Sequence, residues 1–317
     1  MTEVVLPAAR VARERGHPRI GYAMLVASAT LFAVNGAVMK VILTSDAMSS
    51  LRLTQLRATG AFLCLAAMLA VAAPARLRVG RSEMALLIFY GIVGFALVQW
   101  LYLVAIERLP IGIGLLLEFT APVLVALWAM LVWHEPVRRR VWTALALAMV
   151  GVVLVAEVWE DARLDGLGVA VALIASGSLA TYYLAGEHAT AQRDALSLAC
   201  IALGVSSAFW AVLQPWWSFP FDDLGSVVSL DGAFDSWSAP LWALSAWMVV
   251  PGTIFPFVLS LGALRYLPAT RVAMISMLEI VVASVVAWAW LGESLSAAQL
   301  IGGLVVLAGI LLAQTSR

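Results

Sequence analysis

The sequence predicts an all-α polytopic membrane protein whose ten transmembrane helices form two inverted five-helix repeats. Three observations carry that expectation. Of 317 residues, 63% are hydrophobic and only 12% charged, with a mean hydropathy of +0.98. A soluble domain is roughly half apolar and about a quarter charged. Apolar runs near the ~20 residues that cross a bilayer recur along the whole chain. Finally, a shift of 158 positions aligns the third to fifth runs with the eighth to tenth without a gap. It pairs Gly94 with Gly252, Ala105 with Ala263, Leu109-Pro110 with Leu267-Pro268, Glu135 with Glu293, and Gly151 with Gly309. Five spans is an odd number, so a second copy must enter from the opposite side and the halves are inverted.

The elements follow in order. Residues 1–20, MTEVVLPAARVARERGHPRI, form a polar, Arg-bearing lead, and the run after them is too long for the core of a cleavable signal. They read as a cytoplasmic tail. The first repeat, 21–158, holds spans at 21–43, 49–71, 84–106, 111–133 and 141–158. The second, 166–313, holds spans at 166–186, 195–213, 241–264, 269–291 and 297–313.

Lys and Arg accumulate in cytoplasmic loops. With the N-terminus inside, cytoplasmic segments hold Arg10, Arg13, Arg15, Arg19, Arg76, Arg78, Arg81, Arg138 to Arg140, Arg193, Arg265, Arg271 and Arg317, 14 of the 19 basic residues. The outer loops hold only Arg52, Arg108 and Arg163, together with the acidic segments EVWEDARLD and FDDLGSVVSLDGAFD. Both termini are therefore expected in the cytoplasm, with the protein multi-pass in the plasma (inner) membrane. PWWSFPF, at the start of the long outer segment, reads as an interfacial aromatic belt.

Other classes find little support. Zero net charge gives no hint of nucleic-acid binding. Cys64 and Cys200 lie in apolar runs as packing side chains. His17, His134 and His188 are scattered at span ends, and no HExxH, P-loop or paired aspartates occur within a span. No enzyme activity, metal or cofactor is expected.

The polar residues inside the spans carry the functional reading, because an ionisable group in hydrocarbon is a functional candidate. Glu118 stands in LLLEFTAPVLVAL, about seven residues from the outer end of the fourth span, or ~10 Å deep at 1.5 Å rise. Arg57, Gln99 and Asn35 share that level on the second, third and first spans. Lys40 is nearer the outer end of the first, and Glu279 falls near mid-membrane in the ninth. Two readings stand for Arg57 and Lys40: an inward-facing role, or snorkelling of the cation to the headgroups. Arg57 and Glu118 could also form a purely structural pair. Trp100, Tyr102, Tyr182 and Tyr183 are candidates to complete the cavity wall. Gly91 and Gly94, with Pro251, Gly252 and Pro256 in the eighth span, mark matching places where a helix could bend and gate, plain packing by the glycines being at least as good a reading. Glu135 and Glu293, at span ends, read as caps.

A family resemblance adds to this. The ten-span pattern, the LP-then-helix punctuation, and WHEPV and WLGES closing the fourth and ninth spans resemble the EamA branch of the drug/metabolite transporter superfamily. Within it, YGIVGFALVQWLYLVAIERLPIGIGLLLEFTAPV is most similar to the threonine/homoserine exporter group, which carries a LEFTGP-like stretch where this chain reads LEFTAP. The ninth span reads SMLEIV where that group has an SMEP-like stretch, so an extra residue precedes Glu279 and Ile280 replaces the proline. The resemblance implies secondary transport by alternating access, exporting small metabolites, amino acids such as threonine and homoserine first among them. Export of another small solute, drug or metabolite, is the alternative, as is a passive or non-transporting protein on the same scaffold. Expected partners are the small-molecule substrate, membrane lipid and a coupling proton. Glu118 and Glu279 would receive an ammonium, and Arg57, Asn35 or Lys40 a carboxylate.

Overall fold

The computed structural model describes residues 17–45, 48–106, 108–109, 111–134, 137–157, 165–292 and 294–314. Pro110, Glu135, Glu293, Arg163, Arg317, most of the 1–20 tail and most of EVWEDARLD lie outside the described residues. The expected caps at Glu135 and Glu293 lie outside with them.

The described chain is overwhelmingly helical. In order come α1 (Pro18–Thr44), α2 (Ser50–Ala72), and α3 (Arg81–Phe89), which runs through a π-helical segment, Tyr90–Leu97, into α4 (Val98–Ile106). Then follow α5 (Ile111–Glu118), α6 (Ala121–Leu131) and α7 (Arg139–Ala156). The second half begins with α8 (Gly166–Gln192) and α9 (Ala195–Leu213). There α10 (Leu241–Val249) passes through a second π segment, Val250–Ile254, into α11 (Phe255–Ala263). Last come α12 (Ala269–Ser276), α13 (Leu278–Leu291) and α14 (Ala297–Gln314). Eight helical stretches are long and apolar enough to cross a membrane, and Leu116–Leu131 and Ala297–Ala313 are shorter apolar helices. Between α9 and α10, short 3-10 turns and an antiparallel pair, β1 (Val227–Ser229) with β2 (Ser238–Pro240), build a small cap.

Local chemistry sets these boundaries. Ser49, Asp165 and Asp194 accept hydrogen bonds from backbone N–H groups of the first turns of α2, α8 and α9, satisfying donors that a helix start leaves orphaned. Pro122 explains the break after α5: a proline donates no hydrogen bond and its ring clashes with the carbonyl four residues back, here that of Glu118. Pro251 falls inside the second π segment. The first π segment has no proline; there Gly91 packs against Val205 and the Ala202 carbonyl of α9 so closely that a Cβ would meet them at 2.5 and 2.9 Å.

The repeat is visible in the elements themselves. α5 and α12 begin and end 158 residues apart, as do α7 and α14. The second π segment, shifted by the same interval, falls within the first. α7 crosses α14 with backbones in contact. A Cβ on Gly151 would lie 2.6 Å from Val306 N and 2.7 Å from the Gly302 carbonyl; one on Gly309 would lie 2.8 Å from both the Ala144 carbonyl and Ala148 N. Shifting by 158 converts one set of partners into the other, so the contact is self-complementary in the manner of a two-fold. Small residues permit this approach, which is how apolar helices associate in lipid.

Contacts at the helix ends sort the connections. At one end Gly21 packs on Tyr266 and Leu267, which link α11 to α12. Nearby, Ala269 N–H donates to Glu187 of α8 at 2.8 Å. Arg193, between α8 and α9, donates to the carbonyls of Arg76 and Arg78, between α2 and α3, and ion-pairs with Glu83. At the other end the Thr44 hydroxyl donates to Asp231 at 2.8 Å, and Arg52 donates to the Pro215 carbonyl at 3.1 Å and to Ser218 at 2.7 Å. Arg108 and Asp165 pair there at 3.4 Å.

Candidate functional site

The polar side chains of the spans meet where α1, α2 and α4 approach the second π segment. Arg57 on α2 is buried, 8% exposed, and four groups hold it. Its Nε donates to Thr253 Oγ1 at 2.7 Å and its Nη1 to Gln99 Oε1 at 3.2 Å. The ring centroids of Phe32 and Phe257 lie 5.9 and 5.7 Å from its Cζ, so its charge is desolvated against two aromatic faces. Nη2 donates to nothing among the described residues. Gln99 is fixed in turn, its Nε2 donating to the Phe95 carbonyl at 3.3 Å.

Asn35 is 2% exposed; its Nδ2 reaches only the Met39 sulfur, at 3.5 Å, and its Oδ1 has no hydrogen-bond partner. That oxygen faces Gly252, where a Cβ would lie 2.0 Å away. A buried carbonyl oxygen without a donor is uncommon in a native fold and calls for an explanation.

The two acids come from different halves. Glu118 ends α5, is 8% exposed, and forms no hydrogen bond or ion pair among the described residues. Glu279, in the first turn of α13, is half-buried. Glu118 lies within the electrostatic reach of Glu279, and Glu279 within that of Arg57. No ion pair joins Arg57 to Glu118, so the structural pairing weighed for them is not formed. Tyr102 and Tyr183 sense both acids.

Tyr182 and Tyr183 are buried, and Tyr182 belongs to an aromatic cluster with Tyr90, Phe95 and Phe257, centroids 6.1, 5.4 and 5.9 Å away. Its hydroxyl makes no hydrogen bond, although Ser260 stands close by. Trp100 is half-buried and bonds to none of these groups. Lys40 is exposed and is not brought to the cluster. Five residues separate it from Asn35, and at 3.6 residues per turn they point to different sides of α1. Of the expected hinge residues, Gly91, Gly94, Pro251 and Gly252 all fall within the two π segments. Pro256 lies just beyond, buried, its carbonyl accepting from Ser28 at 2.8 Å.

Thr253, Phe32 and Phe257 were not singled out by sequence. Thr253 adjoins the flagged Pro251-Gly252, which was its only signal; the aromatics resemble ordinary span residues. Among the described residues no group of His, Cys, Asp or Glu could hold a metal ion. Two surface cavities lie elsewhere: one of about 380 Å³ in the cap between α9 and α10, beside Thr44 and Asp231, and one of about 430 Å³ between Leu31, Cys64, Met68 and Phe255 on an apolar flank. Neither gathers the buried charges, so the polar cluster is the better candidate.

Known proteins resemble this chain in sequence and in fold. The threonine/homoserine exporter RhtA of Salmonella typhimurium (strain SL1344) is 29% identical over 229 residues, covering 72% of this chain and 70% of that protein. The protein of the same name from Escherichia coli (strain K12) is 29% identical over 237 residues, with the same coverage, 72% and 70%. An uncharacterized transporter of Archaeoglobus fulgidus is 28% identical over 239 residues, 74% of this chain and 78% of its own. One solved crystal structure shares the fold at a TM-score of 0.72 and 15% identity, over 92% of this chain and 96% of that one. The EamA-like transporter family model matches residues 19–156 and 166–315, one copy in each half, and the chain belongs to the EamA-like transporter family.

Proposed function

We propose that this protein is a secondary transporter that exports small metabolites, amino acids such as threonine and homoserine foremost, by alternating access through a central cavity. The observation that carries the reading is buried charge drawn from both halves: Arg57 with its Nη2 unbonded, Glu279 within reach of that cation, and Glu118 with no hydrogen bond or ion pair among the described residues. Burying charge without partners is strongly unfavourable. A zwitterion supplies both complements: an ammonium for the carboxylates and a carboxylate for Arg57 Nη2. The same-named exporters that this chain resembles support the amino-acid class.

The membrane arrangement that serves this function has ten spans, 21–158 and 166–313 forming two inverted repeats after the 1–20 tail, with both termini cytoplasmic in the inner membrane. The end contacts support it. Gly21 and the α2–α3, α8–α9 and α11–α12 connections meet at one end, while the α1–α2 connection and the start of α8 lie at the other. Such a grouping is what two halves of opposite orientation would give. Glu118 or Glu279 would carry the coupling proton.

A drug-like or larger apolar solute is the second reading, favoured by the wall of Phe32, Tyr90, Phe95, Tyr182 and Phe257. Reconstitution into liposomes separates the two. Threonine and homoserine flux under imposed pH gradients is expected in wild type and lost in Glu118→Gln and Arg57→Gln. Normal transport by both variants would defeat the site; flux of an aromatic cation without amino-acid flux would favour the second reading.

A further inference from the structure

We propose that Thr253 is the positioning residue of this site: it aims the Arg57 guanidinium at the anionic end of the solute and ties that aim to the π turn of the second half. The inference rests on the transport reading above. Arg57 arrives from the first half on a long stem with many rotamers, and an unanchored guanidinium would lose much entropy on binding. Thr253 removes that freedom. It is fully buried, and its Oγ1 donates its proton to the Met248 carbonyl at 2.8 Å. With the proton so engaged, the oxygen can only accept from Arg57 Nε, at 2.7 Å. Gln99 takes Nη1, which leaves Nη2 as the edge presented to a ligand.

The Met248 carbonyl lies five residues back, the interval that defines a π turn. One hydroxyl therefore reports the geometry of Val250–Ile254 to the cation. The neighbouring Gly252 faces the unpartnered Asn35 Oδ1, so a single turn of the second half sets two polar groups of the first. Such π turns occur often at functional sites because they present side chains that an α-helix would turn away.

The test uses the full-length protein in liposomes, with L-threonine and L-threonine methyl ester as probes. Thr253→Val keeps the shape and removes both hydrogen bonds; Thr253→Ser keeps them. Thr253→Val is expected to raise KM for L-threonine about tenfold or more, with the maximal rate within about threefold, the pattern of lost binding rather than lost turnover. The preference for the free acid over its ester should narrow, and Thr253→Ser should restore both. An unchanged KM and preference in Thr253→Val, or equal impairment in Thr253→Ser, would overturn the assignment. Thr253→Ala serves if the valine variant is not recovered folded. Wild type that carries neither probe sinks the transport reading instead. The tie to Arg57 is then decided by thermal melts of Thr253→Val, Arg57→Gln and the double variant: coupled losses uphold it and additive losses overturn it.

Discussion

A methyl group at Gly252 would sit 2.0 Å from Asn35 Oδ1, closer than any real contact, and both atoms are held by buried helices. Gly252→Ala is therefore expected to lose transport and to melt several degrees lower, an overpacking effect of about 1–3 kcal/mol. Gly177→Ala, on α8 with nothing within 4 Å of the added carbon, is the control and should melt at or slightly above wild type. Counting residues into each span put Arg57 and Gln99 at one expected level, and their side chains do meet, because helical rise converts sequence distance into depth. Counting could not show which way a helix is rotated. Lys40 therefore stands beside Asn35 as a candidate for the carboxylate although it faces another side of α1, and Phe32 and Phe257, which act through tertiary contact, leave no mark in a one-dimensional reading.

At the level of elements, hydropathy located the helices better than their ends. The span expected at 166–186 continues as helix to Gln192, because EHATAQ is polar enough to leave the apolar layer yet still helix-compatible. Pro251 announced its π segment, while the first arises from packing at Gly91 and carries no proline. Pro122 and Ile280, 158 positions apart, show the converse: the chain turns before both, though only one can force it. After Met277 the path is kept by Ile280 N–H donating to the Met277 carbonyl at 3.2 Å. Pro122→Ala is expected to let α5 and α6 fuse and to raise or hold the melting temperature, given that proline is about 3 kcal/mol worse than alanine within a helix. Transport should fall because Glu118 loses its placement at a helix end; uptake and melts on one preparation check both. At the start of α9, burial works to raise the Asp194 carboxyl, but hydrogen bonds from Ser197 and the charge of Arg76 outweigh it and hold the group below its usual value. A depressed acid stabilises the fold above its unfolded pKa and ceases to do so as pH falls through the folded one. Melts of Asp194→Asn against wild type should differ near neutrality and converge in acid.

Across the whole molecule, the crossing of α7 and α14 is the most constrained contact between the halves. Because Gly151 and Gly309 occupy exchanged roles in it, Gly151→Leu and Gly309→Leu should destabilise to a similar degree, each by more than leucine replacement of the exposed Gly36 on α1. Detergent melts would show a lopsided result if the symmetry of the contact were superficial. Farther out, Arg193 and Arg52 fasten one half to the other at opposite rims, and both fastenings are engaged together. Under the alternating-access reading proposed above, both mouths of the pathway are then fastened at once. Unlatching a rim surrenders several hydrogen bonds to a charged arginine, so on that proposed reading an empty carrier should seldom spring open by thermal agitation alone, and idle leakage would be held down by two arginines at the rims.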